Sequence, residues 1–427
     1  MRNEKESTMA LRKISCIIFA GLVMLAASTP SSRADQIRDR QWWVAGMGIQ
    51  KAREISNGDG VKVCIIDSGI DAKHPDLAEA KFIDGKDLSG GGRPDGLKPY
   101  GDHRGDHGTG MAVNVAGSGH GPGLADGLVG AAPKSSIISV SWGQEDGGDS
   151  PIVRGIRYCA DAGAKVINLS VTAGSAKIGA AVAYAQSKDV VLVAAAGNDG
   201  EEIAANWSGM FGVIQVGGVD SNFQRDSSSS WGGPRKKLGG KITSMGIGVC
   251  GPFAESSNPR VKIPQATING AYKESMGTSV AASVVAGAVA TVRGKFPELD
   301  APNVINRIIE TAKTTGTKGT PNADCGWGVV DVYAALTAIV PKVNNNPLGQ
   351  MSEGCYSADR GIFNVKSMGL WDPSYKPDAQ SPARPSGSPA MSAEPAGGAP
   401  VGLIVGVVGV GSALVGGVYW WLRRRRA

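Results

Sequence analysis

The chain holds only four histidines, His74, His103, His107 and His120. His107 stands in Asp106-His107-Gly108-Thr109-Gly110-Met111-Ala112. A histidine ahead of Gly-Thr can head a helix with its ring free to face a cleft, and imidazole exchanges protons near neutral pH. His103 and His120 lie in glycine-rich loop and are expected to be solvated. Asp67 closes the apolar run Val63–Ile66 and precedes Ser68-Gly69-Ile70-Asp71. A carboxylate at the carboxyl end of a parallel strand sits where α/β active sites form; alone, it reads equally well as a turn aspartate. Ser279 lies in Gly277-Thr278-Ser279-Val280-Ala281-Ala282, ahead of an Ala/Val-rich helical run. A serine there is either a nucleophile beside free backbone N–H groups or an ordinary N-cap. Asn198 follows the apolar run ending at Ala196, and its amide can donate to an oxyanion; a turn asparagine is the plain alternative. Each signal alone is modest. Together, a carboxylate, an imidazole, a hydroxyl and an amide donor are the parts that acyl transfer needs.

Elements that would position these groups alternate along residues 35–340. Val61–Ile66, Ser136–Val140, Lys165–Leu169, Val190–Ala195 and Gly212–Val216 read as buried parallel strands, being short, apolar and β-branched. Residues 152–162 and 176–187 place small and apolar side chains at helical spacing. Alternating strands and helices predict an α/β fold, a mostly parallel sheet covered by helices on both faces. There is no internal repeat and no GxGxxG after a strand.

The chain has 427 residues, 42% hydrophobic and 19% charged, which excludes a disordered polyelectrolyte. Its 62 glycines are about twice the usual share of about 7%, without a collagen period, and predict many tight turns. Of the net +6, residues 1–34 hold +3 and Arg423–Arg426 hold +4, so the remainder carries −1. A nucleic-acid footprint is therefore not indicated. The N-terminus reads as a signal peptide over 1–34: Arg12-Lys13, the apolar run Ile14–Ala27, then Ser32-Arg33-Ala34 as cleavage site. An uncleaved anchor is the alternative. Val401–Leu422 is uncharged, long enough at about 30 Å to span a bilayer, ends in Tyr419-Trp420-Trp421, and is followed by the basic tail 423–427. Residues 341–400 are expected to be linker, rich in Pro, Ser, Ala and Gly from 373 onward. The two ends imply a type I membrane protein with its body outside the cell. After signal removal five cysteines remain. Cys64 and Cys159 are expected as free buried thiols, Cys250–Cys325 is one possible bridge among several, and no CxxC pair supports zinc.

The order Asp67, His107, Asn198, Ser279 matches the subtilisin order. The chain resembles the subtilase family in GVKVCIIDSGIDAKHPDL around Asp67, DHGTGMAVNVAG around His107, VINLS at Val166–Ser170, AAAGN ending at Asn198 and GTSVAA around Ser279. The resemblance runs from about Gln41 to Leu336, where GWGVVDVYAAL is similar to the close of that domain. The segment 35–60, together with the signal peptide, linker, terminal apolar run and arginine tail, resembles mycosins, the membrane-anchored subtilases of type VII secretion systems. Residues 35–60 are too few for a folding propeptide.

The resemblance implies a subtilisin-like serine endopeptidase. Ser279 is then the nucleophile, His107 the base, Asp67 its partner and Asn198 an oxyanion donor. It also implies an extended peptide lying between two backbone edges, Ser141-Trp142-Gly143 and Ser170-Val171-Thr172. Two positions depart from the family pattern: Thr172 stands where many subtilisins have glycine, and Ser283 where GTSMAAP has proline. No cofactor is expected and no calcium ligand set can be assigned. Expected partners are protein or peptide substrates, a membrane and type VII secretion components. A scaffold bracing a secretion complex, with little proteolysis, is the second reading.

Overall fold

In the computed structural model, residues 37–99, 106–143, 150–171, 178–202, 210–236, 242–244, 246–257, 260–351, 356–357 and 362–363 are described, all within a compact unit ending at Pro377. The expected signal peptide, the span at 401–422, the basic tail and the Pro-rich part of the linker lie outside them, as do His103, Thr172 and Cys355. Among the described residues no helix is long and apolar enough to cross a membrane.

The strands that build the site's platform are β1 (Lys62–Asp67), β2 (Lys81–Phe82), β3 (Lys86–Leu88), β6 (Ser136–Trp142), β7 (Val166–Leu169), β8 (Val191–Ala195), β9 (Ile214–Val219) and β10 (Val249–Pro252); the hairpin β4 (Ser118–His120) and β5 (Asp126–Val129) stands apart. The eight form one sheet in the order β10-β9-β8-β7-β1-β6-β2, with β3 also on β6. Every pairing in it is parallel. The five strands expected from the sequence are β1 and β6–β9, so the parallel α/β reading holds. The order reverses at β1, which has β6 on one flank and β7 on the other. A crevice opens at such a reversal, at the carboxyl ends of the strands, and Asp67 is the last residue of β1.

Burial on both faces explains the strand sequences. Val63 and Ile65 of β1 enter one apolar cluster, Cys64 and Ile66 the other. The first cluster is completed by α1 (Trp42–Gly46), α2 (Ile49–Arg53), α3 (His107–Ala116), α6 (Thr278–Lys295), α7 (Ala301–Glu310) and α8 (Val332–Thr337). The second is covered by α4 (Pro151–Asp161) and α5 (Ile178–Ser187). Helix α6 is buried continuously from Val280 to Arg293, which is why it is apolar around most of its surface, with Ser283, Thr291 and Arg293 the exceptions.

One cysteine expectation is corrected. Cys64 and Cys159 are not free thiols; they form a disulfide between β1 and α4, with Cα atoms 5.8 Å apart. The packing of α4 on the sheet brings the strand and helix positions within bonding reach. Cys250 and Cys325 form a second bridge. His120 is also not simply solvated. Its Nδ1 lies 2.7 Å from Oδ1 of the fully buried Asp76, which further accepts from the Leu128 amide and the Tyr272 hydroxyl. A buried carboxylate needs such donors.

The segment ahead of β1 packs as part of the body. Trp43 is 1% exposed. The Gln41 side chain exchanges two hydrogen bonds with the Val129 backbone, at 2.8 and 3.0 Å. The Arg38 guanidinium donates to the carbonyls of Leu124, Asp126 and Gly127.

Replacing Cys64 and Cys159 together with alanine should cost about 2–5 kcal/mol of stability, since the bridge closes a long loop. Thermal unfolding followed by circular dichroism checks this; an unchanged midpoint would remove the bridge from the stabilising contacts.

Candidate active site

Asp67 ends β1 with its carboxylate buried. Both of its oxygens lie 2.9 Å from Nδ1 of His107, and Oδ1 also accepts from the Ser68 amide at 2.7 Å. His107 is the first residue of α3, so its ring projects from the helix end above the sheet. The close approach of α3 to β1 depends on Gly108. A Cβ there would fall 2.3 Å from the Gly69 carbonyl oxygen and 3.2 Å from the Asp67 Cβ. The Gly108 amide donates to Ser68 Oγ at 3.0 Å, fastening the helix start to the strand end.

Burial lowers the basicity of the His107 ring. Attraction to Asp67 and their hydrogen bond outweigh it, with a smaller opposing effect from Lys273 and a supporting one from Asp106. The result is a pKa above the ordinary 6.5. Lys273 and Asp106 are themselves paired at 2.6 Å. With Nδ1 facing Asp67, Nε2 is the nitrogen left for a reactant, and the side chain is 34% exposed.

Ser279 is the second residue of α6, half-buried, where helix amides lack intrahelical acceptors. The preceding turn uses Gly277 at φ 149°, a conformation that favours glycine. A Cβ at Gly277 would also lie 3.3 Å from Asn198 Nδ2, so Asn198 sits directly beside this turn. Asn198 Oδ1 accepts from the Thr278 amide at 2.8 Å and from Thr278 Oγ1 at 3.0 Å. With Oδ1 fixed in this way, the Nδ2 donor is directed away from Thr278. Thr278 Oγ1 also accepts from the Gly197 amide at 3.0 Å, which locks the end of β8 onto the start of α6.

The structure therefore joins Asp67 to His107, and Asn198 to the turn that carries Ser279. Among the described residues no hydrogen bond joins Ser279 to His107. The Ser279 hydroxyl donates to the Ser170 carbonyl at 3.1 Å, and Ser170 Oγ donates back to the Ser279 carbonyl at 2.9 Å. Ser170, expected on a substrate edge, is buried and braces the serine turn. The other expected edge differs more. Ser141 is fully buried, and its backbone is flanked by β1 through Asp67 and by β3 through Asp87. Trp142 is flanked by Leu88 of β3, and a Cβ at Gly143 would lie 3.0 Å from Ser89. The Ser141 hydroxyl donates to Asp87 Oδ1 at 2.6 Å. A short strand in a glycine-rich stretch has thus taken the outer flank of this segment. Val171 follows Ser170 half-buried, and Thr172 lies outside the described residues.

Sequence reasoning assigned no role to Ser68, Gly108 or Thr278, although each stands inside a motif it used. Their signal was adjacency: each is next to a candidate group and caps or closes the element bearing it. Among the described residues no cluster of three His, Cys, Asp or Glu is placed to hold a metal.

The parallel sheet reverses its order at β1, and Asp67, His107, Asn198 and Ser279, the groups a serine-type hydrolase would need, stand at element ends of this α/β fold. The subtilase family model matches residues 58–328, and the chain belongs to that family; it is a subtilisin-like serine protease. Subtilisin DY of Bacillus licheniformis is 34% identical over 305 residues, covering 68% of this chain and 97% of that protein. Mycosin-1 of Mycolicibacterium smegmatis is 28% identical over 345 residues, covering 71% and 74%. The crystal structure of MycP1 from the ESX-1 type VII secretion system matches with a TM-score of 0.57 at 25% identity, covering 75% of this chain and 91% of that one.

A general base works only when neutral, so a raised His107 pKa places the acid limb of kcat/KM above about pH 6.5. Activity should fall as pH drops through that limb, and a pH–rate profile on a peptide substrate measures it; a midpoint below the ordinary 6.5 would contradict the assignment. Gly108→Ala should push α3 off β1 and cut kcat by about 100-fold with a smaller change in KM, read from steady-state kinetics.

Proposed function

We propose that this chain is a membrane-anchored, extracytoplasmic serine endopeptidase that processes substrates of a type VII secretion system. The observation that carries the chemistry is the pairing of His107 Nδ1 with both Asp67 oxygens at 2.9 Å, at the strand-order reversal beside the Ser279 turn. In this reading the Ser279 hydroxyl turns from Ser170 toward Nε2 of His107 and attacks the scissile carbonyl. His107 takes the proton and then delivers it to the leaving amine, while Asp67 holds the tautomer and stabilises the imidazolium. Asn198 Nδ2 and the Ser279 amide receive the negative charge on the tetrahedral oxygen. Water then repeats the sequence on the acyl-enzyme.

The substrate is an extended peptide, with the main chain around Ser170-Val171-Thr172 as one pairing edge. Ser141 is flanked on both sides, by β1 and β3, and Trp142 by β3 alone, so the opposite edge is assigned to Trp142-Gly143. The signal-peptide pattern, the apolar run 401–422 and the arginine tail support export and anchoring. Two disulfides support a non-reducing compartment. Similarity to mycosins and to MycP1 supports the secretion role.

A fluorophosphonate probe applied to the full-length protein in detergent tests the chemistry. The wild type should label and Ser279→Ala should not. Asn198→Ala should retain the label but lose about 10²–10³ in kcat. A folded wild type that resists labelling would transfer the argument to the scaffold reading.

A further inference from the structure

Helix α3 carries His107 and α6 carries Ser279, and the two pack directly against each other. The interface is built for closeness: a Cβ at Gly287 would lie 3.4 Å from the Val115 Cα and 3.0 Å from the Ala131 Cβ. Apolar packing of this kind is non-directional. It holds the helices together but leaves small rotations and slides cheap. Among the described residues one side-chain hydrogen bond crosses between the helices. Asn114 Nδ2 donates to Ser283 Oγ at 3.0 Å, and Ser283 Oγ donates onward to the Val280 carbonyl at 2.9 Å. Asn114 is 2% exposed and Ser283 is fully buried. A polar pair in an apolar interface carries a desolvation cost that its own bond must offset. Its distinctive contribution is therefore geometric definition rather than net stability.

The pair is also placed where that definition counts. Asn114 follows His107 by seven residues, which returns it to within about 20° of the same helix stripe, about 10 Å along the axis. Ser283 follows Ser279 by four residues, about 40° around and about 6 Å along. The bond thus joins the stripes that bear the two reacting side chains. The side chain at 283 is a departure from the GTSMAAP pattern, and a proline there has no hydroxyl to offer.

We propose that Asn114 and Ser283 are positioning residues that fix the rotation and slide of α6 against α3, so that Ser279 Oγ reaches His107 Nε2 when it leaves the Ser170 carbonyl. The proposal rests on the catalytic reading of Ser279 and His107 given above. Neither residue touches substrate; both act through the helices they belong to.

The test uses full-length protein with Asn114→Ala, Ser283→Ala, the double variant, and Ser279→Ala as blank. The readouts are the second-order rate of fluorophosphonate labelling, kcat and KM on one peptide, and the unfolding temperature. Each single variant should lose about 10–100-fold in labelling rate and in kcat, with KM changed less than about twofold and folding retained. The double variant should lose no more than the worse single one, because one bond is removed in each case. If Ser283→Ala does not fold, Ser283→Cys fills the same space with a weak donor and carries the same expectation. Folded variants that label at the wild-type rate, or losses confined to KM or unfolding temperature, overturn the proposal. A wild type that does not label, or a Ser279→Ala that does, instead overturns the catalytic reading beneath it.

Discussion

A carboxylate at 2% exposure must be met by donors, and Asp67 is such a carboxylate at the end of the central strand. Much of the site follows from how it is satisfied. The adjacent Ser68 amide supplies one donor, and the His107 ring supplies the other. For the ring to arrive, α3 must begin almost on top of β1, and only a glycine at 108 leaves that space open. Ser68 then accepts from the Gly108 amide, so the hydroxyl next to the carboxylate fixes the helix that brings the imidazole. One buried carboxyl group ties the strand end, the helix start and the ring orientation together.

The second half of the site is held by a different interaction. Thr278 spans the end of β8 and the start of α6 through Gly197 and Asn198. Ser170, at the end of β7, exchanges bonds with Ser279 itself. Neighbouring strand ends thus converge on one helix N-terminus, and the sheet's parallel register delivers them to the same edge. The α3–α6 packing is what brings the two halves into one frame. Precision there matters more than strength in the proposed mechanism, because general-base proton transfer needs hydrogen-bond reach.

What was legible in the sequence, and what was not, divides along physical lines. The strands β1 and β6–β9 were readable because burial on both faces leaves them mostly apolar and β-branched, with few polar residues such as Ser139, Asn168 and Gln215. Asp67, His107, Asn198 and Ser279 stand out as candidates because each sits at the junction of an apolar run and a glycine turn. The Cys64–Cys159 bridge was not readable, since it depends on how α4 lies across the sheet, and no spacing encodes that. The covered flank of Ser141 was missed because β3 is three residues long, within a glycine-rich stretch that carries no apolar pattern. Ser283 was visible as a departure, but its meaning required Asn114, which is distant in sequence and adjacent only in the packed pair of helices.

The N-terminal segment adds a constraint from the far side. Helix α3 runs from His107 to Ala116 and leads directly into β4, the loop after it and β5. The loop and the start of β5 turn three carbonyls, of Leu124, Asp126 and Gly127, toward one point. Carbonyls gathered in this way need donors, and the Arg38 guanidinium supplies them. Gln41 then ties β5 through both of its amide atoms. The described contacts of Arg38, Gln41, Trp42 and Trp43 run to this loop, to the Ala254 carbonyl and to the apolar cluster, and none of them involves Asp67, His107 or Ser279. A segment that merely plugged the cleft would contact those residues and leave the body intact on removal. This one is fastened to the strand β5 and the loop before it, which follow α3 in the chain, and so belongs to the body.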